Sequence, residues 1–224
     1  MRSSTAGRWS VEHLVATAAE VHGREVGIDA GPAVWVIEAT DKALVLGSSQ
    51  QVDDVDLERA GRRGIDVVQR RSGGGAVLVG AADVVWIDVV IGREDPLWQD
   101  DVGLGALWLG EVWCRVLAAL GHEAEMHQAP MGRDSLARVA CFVGRAPGEL
   151  LLGGRKVVGV SQRRTRHWVR MQCACLLHWD GAMLLDLLKP LNDVDAERIR
   201  LAGCGIGGTA QAVVAAFLSE IAAH

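Results

Sequence analysis

The chain has 224 residues, half of them apolar, enough for one sizeable core and near the upper size of a single domain. Its net charge of -5 argues against a nucleic-acid partner, because neutralising phosphates needs a concentrated basic face. No window approaches the roughly 20 apolar residues that span a bilayer, and "MRSSTAGRWS" lacks the apolar run of a signal peptide. A soluble, cytoplasmic protein without a membrane partner is expected, with its five scattered cysteines reduced and no metal site.

In chain order, Val11, Leu14, Val15, Ala18 and Val21 fall on one face of an amphipathic helix over 10–22, behind Ser10 as cap. Strands are expected at 33–39 and 43–50, with Thr40 to Lys42 as the turn of a hairpin. A charged helical segment over 53–63 leads to a strand at 65–69, then "AVLV" and a strand at 84–91 follow. The periodicity of Leu109, Val112, Trp113, Val116, Leu117 and Leu120 predicts a long helix over 100–120, closed by Gly121. From Val139 the pattern returns to strands at "VACFV", "ELLLGG", "KVVGVSQ" and "WVRMQCACLLHW". In the last of these Met171, Cys173, Cys175, Leu177 and Trp179 share one face and Arg170, Gln172 and His178 the other. Helices are expected around 180–200 and over 209–223. Strands in the middle and helices at both ends point to an α+β fold, with helices packed on one mixed, largely antiparallel central sheet.

Two glycine clusters stand out. "GCGIGG" at 203–208 follows a helical segment and has too little chain after it for a dinucleotide fold, so it reads as a connector. "QRRSGGGAVLV" at 69–79 is different. Three glycines between two strands cost backbone entropy, and a tight bulge or a close approach of N–H groups to a ligand would explain them. With Arg70 and Arg71 adjacent, the natural ligand is an anion. The strip "RKVVGVSQRRTRHWVR" holds Lys156, one of three lysines beside twenty arginines. A compact cation on a flexible stem suits a narrow apolar slot better than a guanidinium fork.

Together the two motifs resemble those of the lipoate-protein ligases and related octanoyltransferases, whose catalytic domain is shared with biotin-protein ligases and belongs to the class II aminoacyl-tRNA synthetase-like folds. The family loop, Arg-Arg-any-Ser-Gly-Gly-Gly-Ala-Val, is followed from Gln69 through Arg70, Arg71, Ser72, Gly73, Gly74, Gly75, Ala76 and Val77, except at its first position. The family's glycine, basic residues, lysine and Gly-Ser-Ala variant resemble Gly154 to Gln162, which carries Gly159, Val160 and Ser161. "LVLGSSQ" is a third, weaker match, and the likeness runs over roughly 35–180.

The resemblance implies a single catalytic domain over 1–224, without a C-terminal accessory domain, that joins lipoate or octanoate to a lysine of a lipoyl carrier domain. In the ligases ATP, with Mg, first forms an acyl-adenylate. Lys156 would then hold the acyl carboxylate, and the glycine loop and Gly159 to Gln162 would wrap the adenylate. A separate accessory chain is one further partner under that reading. The octanoyltransferases instead take the acyl group from an acyl carrier protein, without ATP, on a cysteine that Cys141 in "ACFVGRAPGEL" resembles. Cations such as Lys156 or Arg145 would favour its thiolate, whereas a buried, unreactive thiol is the structural alternative.

Three departures stand against the family pattern. Gln69 replaces an arginine, Val79 and Gly80 replace His-Asp, and Gly148 with Glu149 replaces Asn-Asp, keeping the carboxylate. The main expectation is an ATP-dependent lipoate-protein ligase. A cysteine octanoyltransferase and a non-catalytic acyl- or carrier-binding relative are the alternatives. Trp168 is a candidate wall of the acyl slot.

Overall fold

The computed structural model describes residues 2–28, 31–130, 132 and 134–224. Strands β1 (Arg2–Ala6), β2 (Trp9–Ala16), β3 (Ala33–Ala39), β7 (Val84–Gly92), β8 (Glu125–Met126), β9 (Leu150–Leu152), β10 (Arg155–Arg164) and β11 (Trp168–Leu176) build the large sheet. Its order is β1-β2-β3-β7-β11-β10-β9-β8, antiparallel throughout except for the parallel pair β2 and β3. Strands β4 (Ala43–Leu46), β5 (Asp66–Gln69) and β6 (Val77–Val79) form a second, small sheet in the order β5-β4-β6. The α+β class and the mixed, largely antiparallel sheet are as expected, whereas the sequence reading had a single sheet.

Helices α3 (Leu107–Ala119) and α6 (Ala210–Ile221) cover one face of the large sheet, while α1 (Ala18–Gly23) sits on the other. Helices α2 (Leu57–Arg62), α4 (Gly181–Leu187) and α5 (Asp193–Arg200) cover the outside of the small sheet. Leu109, Val112, Trp113, Val116 and Leu117 of α3 have no exposed surface, and each such burial stabilises the fold by about 1.5–3 kcal/mol. Among the described residues no helix is long and apolar enough to cross a membrane.

Strand parity divides the chemistry. On β7, Val85, Ile87, Val89 and Ile91 face α3 and α6, so Trp86, Asp88 and Val90 face the small sheet. On β11, Val169, Met171, Cys173 and Cys175 face the helices, as the sequence alternation predicts, and Arg170 and Gln172 face the small sheet. That face therefore carries Asp88, Arg170 and Gln172, with Arg170 donating to the Val21 and Arg24 carbonyls at α1.

Several expectations are corrected. The helix over 10–22 is strand β2 followed by α1. Trp9 and Val11 are buried in β2, and the helix starts only after Thr17, whose side chain accepts from the Glu20 amide while Glu20 accepts from the Thr17 amide. The 33–50 hairpin is absent, because β3 and β4 are each buried on both faces and lie in different sheets. The long helix begins at Leu107 instead of 100, since Asp101 holds the turn before it by accepting from the Gly103 and Gly105 amides. "VACFV" is not a strand. A 3-10 turn at Ser135–Arg138 runs into a single bridge between Ala140 and Ala76, which brings Cys141 against the glycine loop.

Candidate active site

Between the sheets lies a narrow apolar slot of about 40 Å³, walled by Val45, Val77 and Val79 from the small sheet and Trp86 and Phe142 opposite. An open cavity of about 430 Å³ adjoins it, lined by Gly73, Gly74, Glu149, Lys156 and Gln162 among others. Cys141, Val160 and Ser161 line both spaces. The thiol thus stands where a greasy channel opens into a polar mouth.

The Cys141 backbone is fixed from both sides. Its amide donates to the Ala76 carbonyl at 2.9 Å, and its carbonyl accepts from Lys156 Nζ at 2.9 Å. Lys156 Nζ also pairs with Glu149 Oε2 at 2.7 Å, and the two side chains are 2% and 5% exposed. Glu149 is held in turn, accepting from the Ala146 amide at 2.7 Å and the Val160 amide at 3.2 Å. Two of the three ammonium protons of Lys156 are engaged, which leaves one for the cavity that this side chain lines. Gly159 borders the group, and a Cβ there would make ordinary contacts, 3.5 Å from Phe142, 3.6 Å from Glu149 Oε1 and 3.7 Å from Lys156 Cδ.

The three loop glycines have separate reasons to exist. Gly74 has φ +98°, and a Cβ on it would fall 2.8 Å from Arg70 Nη2 and 3.9 Å from Cys141 Sγ. A Cβ on Gly75 would lie 2.6 Å from the Ala140 nitrogen. Gly73 has open space around it. Among the described residues the amides of Gly73, Gly74 and Gly75 meet no acceptor.

Behind Cys141 runs a buried polar chain. Ser72 Oγ donates to Gln172 Oε1 at 2.6 Å and lies 3.1 Å from Ser161 Oγ, while Gln172 Nε2 lies 3.1 Å from His22 Nδ1. His22 packs at a tilt on Trp86, with ring centroids 4.8 Å apart, and burial, with Arg170 and Arg70 nearby, lowers its pKa to about 3, so the ring is neutral. Arg170 Nε donates to Asp88 Oδ2 at 2.6 Å, and Trp86 Nε1 donates to Asp88 Oδ1 at 2.7 Å.

A family model described as the lipoyl protein ligase A/B catalytic domain matches residues 14–211. The chain belongs to the lipoyl protein ligase A/B family. Among curated relatives, the octanoyltransferase LipM of Moorella thermoacetica is 31% identical over 158 residues, covering 70% of this chain and 57% of that protein. LipM of Clostridioides difficile is 27% identical over 149 residues, covering 65% and 54%. The chain thus spans a little over half the length of these relatives. In fold it is similar to a bipartite lipoate protein ligase of Thermoplasma acidophilum, described with its E2 lipoyl domain, at TM-score 0.73, 18% identity and coverage of 98% and 84%. A lipoate-protein ligase A bound with ATP gives TM-score 0.73 at 20% identity, covering 98% of this chain and 85% of that one.

Within this lipoyl ligase fold the expected site residues divide. Lys156, Cys141, Gly73, Gly74, Glu149, Val160, Ser161 and Gln162 meet around the open cavity, and Gly159 and Val77 face the slot. Arg70 lines the slot but turns its fork back on the loop, with Nη2 donating to the Gly73 and Gly75 carbonyls at 2.8 and 2.9 Å and Nη1 to Val45 at 3.2 Å. Burial lowers its pKa, and the field of Cys141 opposes that, so the guanidinium sits close enough to sense charge on the sulfur. Arg71 is half exposed and pairs with Glu25 on the surface. Gln69 ties down the loop after β4 through Nε2, which donates to the Gln50 carbonyl at 2.8 Å. Ser72 is buried behind the cavity, and Ala76 serves the bridge to Ala140. Arg145 is exposed and donates to the Gly154 carbonyl, away from the thiol mouth. The tryptophan walling the slot is Trp86, while Trp168 lies under Arg163.

Proposed function

We propose that this chain is a cysteine-dependent octanoyltransferase, moving an octanoyl group from a carrier-protein thioester to a lysine of a lipoyl carrier domain. The observation that carries the reading is the position of Cys141 at the junction of slot and cavity, beside the Lys156 and Glu149 pair. The LipM relatives favour transfer over ATP-dependent ligation. So do the groups that the family resemblance assigned to an acyl-adenylate, since Arg70 and Arg71 are engaged elsewhere, Gln69 brings no charge and Lys156 is neutralised by Glu149.

The alkyl chain would enter the slot and leave its thioester carbonyl beside Cys141. The thiolate attacks, a new C–S bond forms and the donor thiolate departs. Charge on the carbonyl oxygen in the transition state would be met by the remaining Lys156 proton and the amides of the glycine loop. A lysine amine of the lipoyl domain then enters through the open cavity and displaces the Cys141 sulfur. Incubating the protein with an octanoyl acyl carrier protein, without ATP, tests the reading by intact mass. A hydroxylamine-sensitive octanoyl adduct that disappears in Cys141→Ala is expected, and normal transfer by that variant overturns it.

A further inference from the structure

The buried polar chain behind Cys141 has a fixed direction. Asp88 is held by Arg170 and can only accept hydrogen bonds. Gln172 stands opposite Asp88 in the pairing of β11 with β7, on the same face of the sheet. The nitrogen of Gln172 lies on the side of this acceptor, 3.1 Å from His22 Nδ1, and Oε1 faces Ser72. Ser72 uses its one proton on Oε1 at 2.6 Å, so the 3.1 Å contact with Ser161 has Ser161 as donor. Ser161 has therefore no proton left to offer the cavity. At the junction where Cys141 stands, it presents lone pairs alone.

An acceptor without a donor suits a particular ligand. We propose that Ser161 Oγ accepts an N–H of the incoming lysine amine in the second half of the reaction, and that Ser72 and Gln172 are positioning residues acting through it. This rests on the octanoyltransferase reading. A neutral amine has two N–H bonds and one lone pair, so holding one N–H at Ser161 aims the lone pair at the acyl carbon on Cys141. The N–C bond forms and the C–S bond breaks, the sulfur leaving with the bonding pair. The ammonium proton then passes to that sulfur. In the first half-reaction the attacking and the departing atoms are both sulfur and carry no N–H, so acylation of Cys141 does not need this contact.

The test separates the two half-reactions. Wild type, Ser161→Ala, Ser72→Ala and Ser161→Thr are acylated with an octanoyl acyl carrier protein. The acyl-enzyme is then mixed with a lipoyl domain, or with a small thiolate that has no N–H. Ser161→Ala is expected to lose about tenfold in transfer to lysine relative to transfer to thiolate from the same acyl-enzyme. Ser72→Ala leaves Ser161 its lone pairs but frees the hydroxyl to rotate, so it should lose lysine transfer by less than Ser161→Ala does, again relative to transfer to thiolate, and Ser161→Thr should retain lysine transfer. Equal loss toward both acceptors, or no loss toward lysine, overturns the proposal. Failure of the wild-type protein to form any acyl-enzyme overturns the reading of the site and the proposal with it, and is distinguishable because it precedes the second step.

Discussion

Lys156 and Glu149 form an ion pair of 2.7 Å that is almost wholly withdrawn from water. Removing one partner leaves a buried charge alone, which costs about 3–5 kcal/mol, whereas replacing both with neutral groups of similar volume costs far less. Lys156→Ala should therefore unfold at markedly lower denaturant than wild type. The double variant Lys156→Met with Glu149→Gln should recover much of that stability and none of the acyl transfer. Urea unfolding read beside single-turnover transfer separates the two roles. Recovery of transfer in the double variant would show that the ammonium serves packing alone.

His22 supplies a pH dependence. In an unfolded chain the ring ionises near 6.5, but in the fold its pKa is about 3, chiefly through burial, with Arg170 and Arg70 adding to it. The folded-state pKa is depressed, so between these values the unfolded chain binds the extra proton and stability falls as pH falls. The contribution is present above about 6.5 and lost progressively toward 3. From pH 7 to pH 4.5 wild type should lose about 2.5 kcal/mol more than His22→Gln does. Parallel pH profiles in urea unfolding would deny the ring this role.

Much of the site was legible in residue type and spacing. The glycine loop, Cys141 and the lysine strand do meet, and the β11 alternation foretold which way Arg170 and Gln172 point. What was not legible is where a side chain turns when it has two choices. Arg70 can face a ligand or its own loop, and the choice depends on the turn that folds the Gly73 and Gly75 carbonyls back onto it and on the Val45 carbonyl, which only the fold brings near. The 10–22 segment satisfies helical and strand periods at once over so short a window, and pairing with β3 decided it. His22 read as the end of an amphipathic helix because its partner Gln172 lies 150 residues away. One signal was available and missed, since a lone Asp88 within "VVWIDVVI" marks a buried charge that needs a partner.

The glycine loop distinguishes ligand contact from packing. Gly73 has nothing within 4 Å of an added Cβ, whereas at Gly75 it would meet the Ala140 backbone at 2.6 Å. Gly75→Ala should displace the segment carrying Cys141, lowering the melting temperature and slowing acylation together. Gly73→Ala should melt like wild type and alter only the binding of the acyl donor. Thermal melts paired with acylation rates check this, and a destabilised Gly73→Ala would place that glycine in the packing as well.

The slot sets a further expectation because its volume is small. A cavity of about 150 Å³ accommodates benzene, so about 40 Å³ falls well short of an eight-carbon chain, and the walls must part to admit one. Val79 lines the slot three residues beyond Ala76, whose carbonyl holds the Cys141 amide, so it lies toward the end away from the sulfur. Val79→Ala should ease entry and extend the reach. At about 0.8 kcal/mol per buried methylene, two more carbons are worth roughly tenfold in relative acylation, moving the preference from octanoyl toward decanoyl. Val79→Phe should block octanoyl while leaving butanoyl acylation of Cys141 near wild type, since a short chain stops before the obstruction. Competition among butanoyl, octanoyl and decanoyl thioesters, read by intact mass, measures both variants. If neither moves the chain-length profile, the alkyl group lies elsewhere, and the apolar walls between the two sheets are ordinary core.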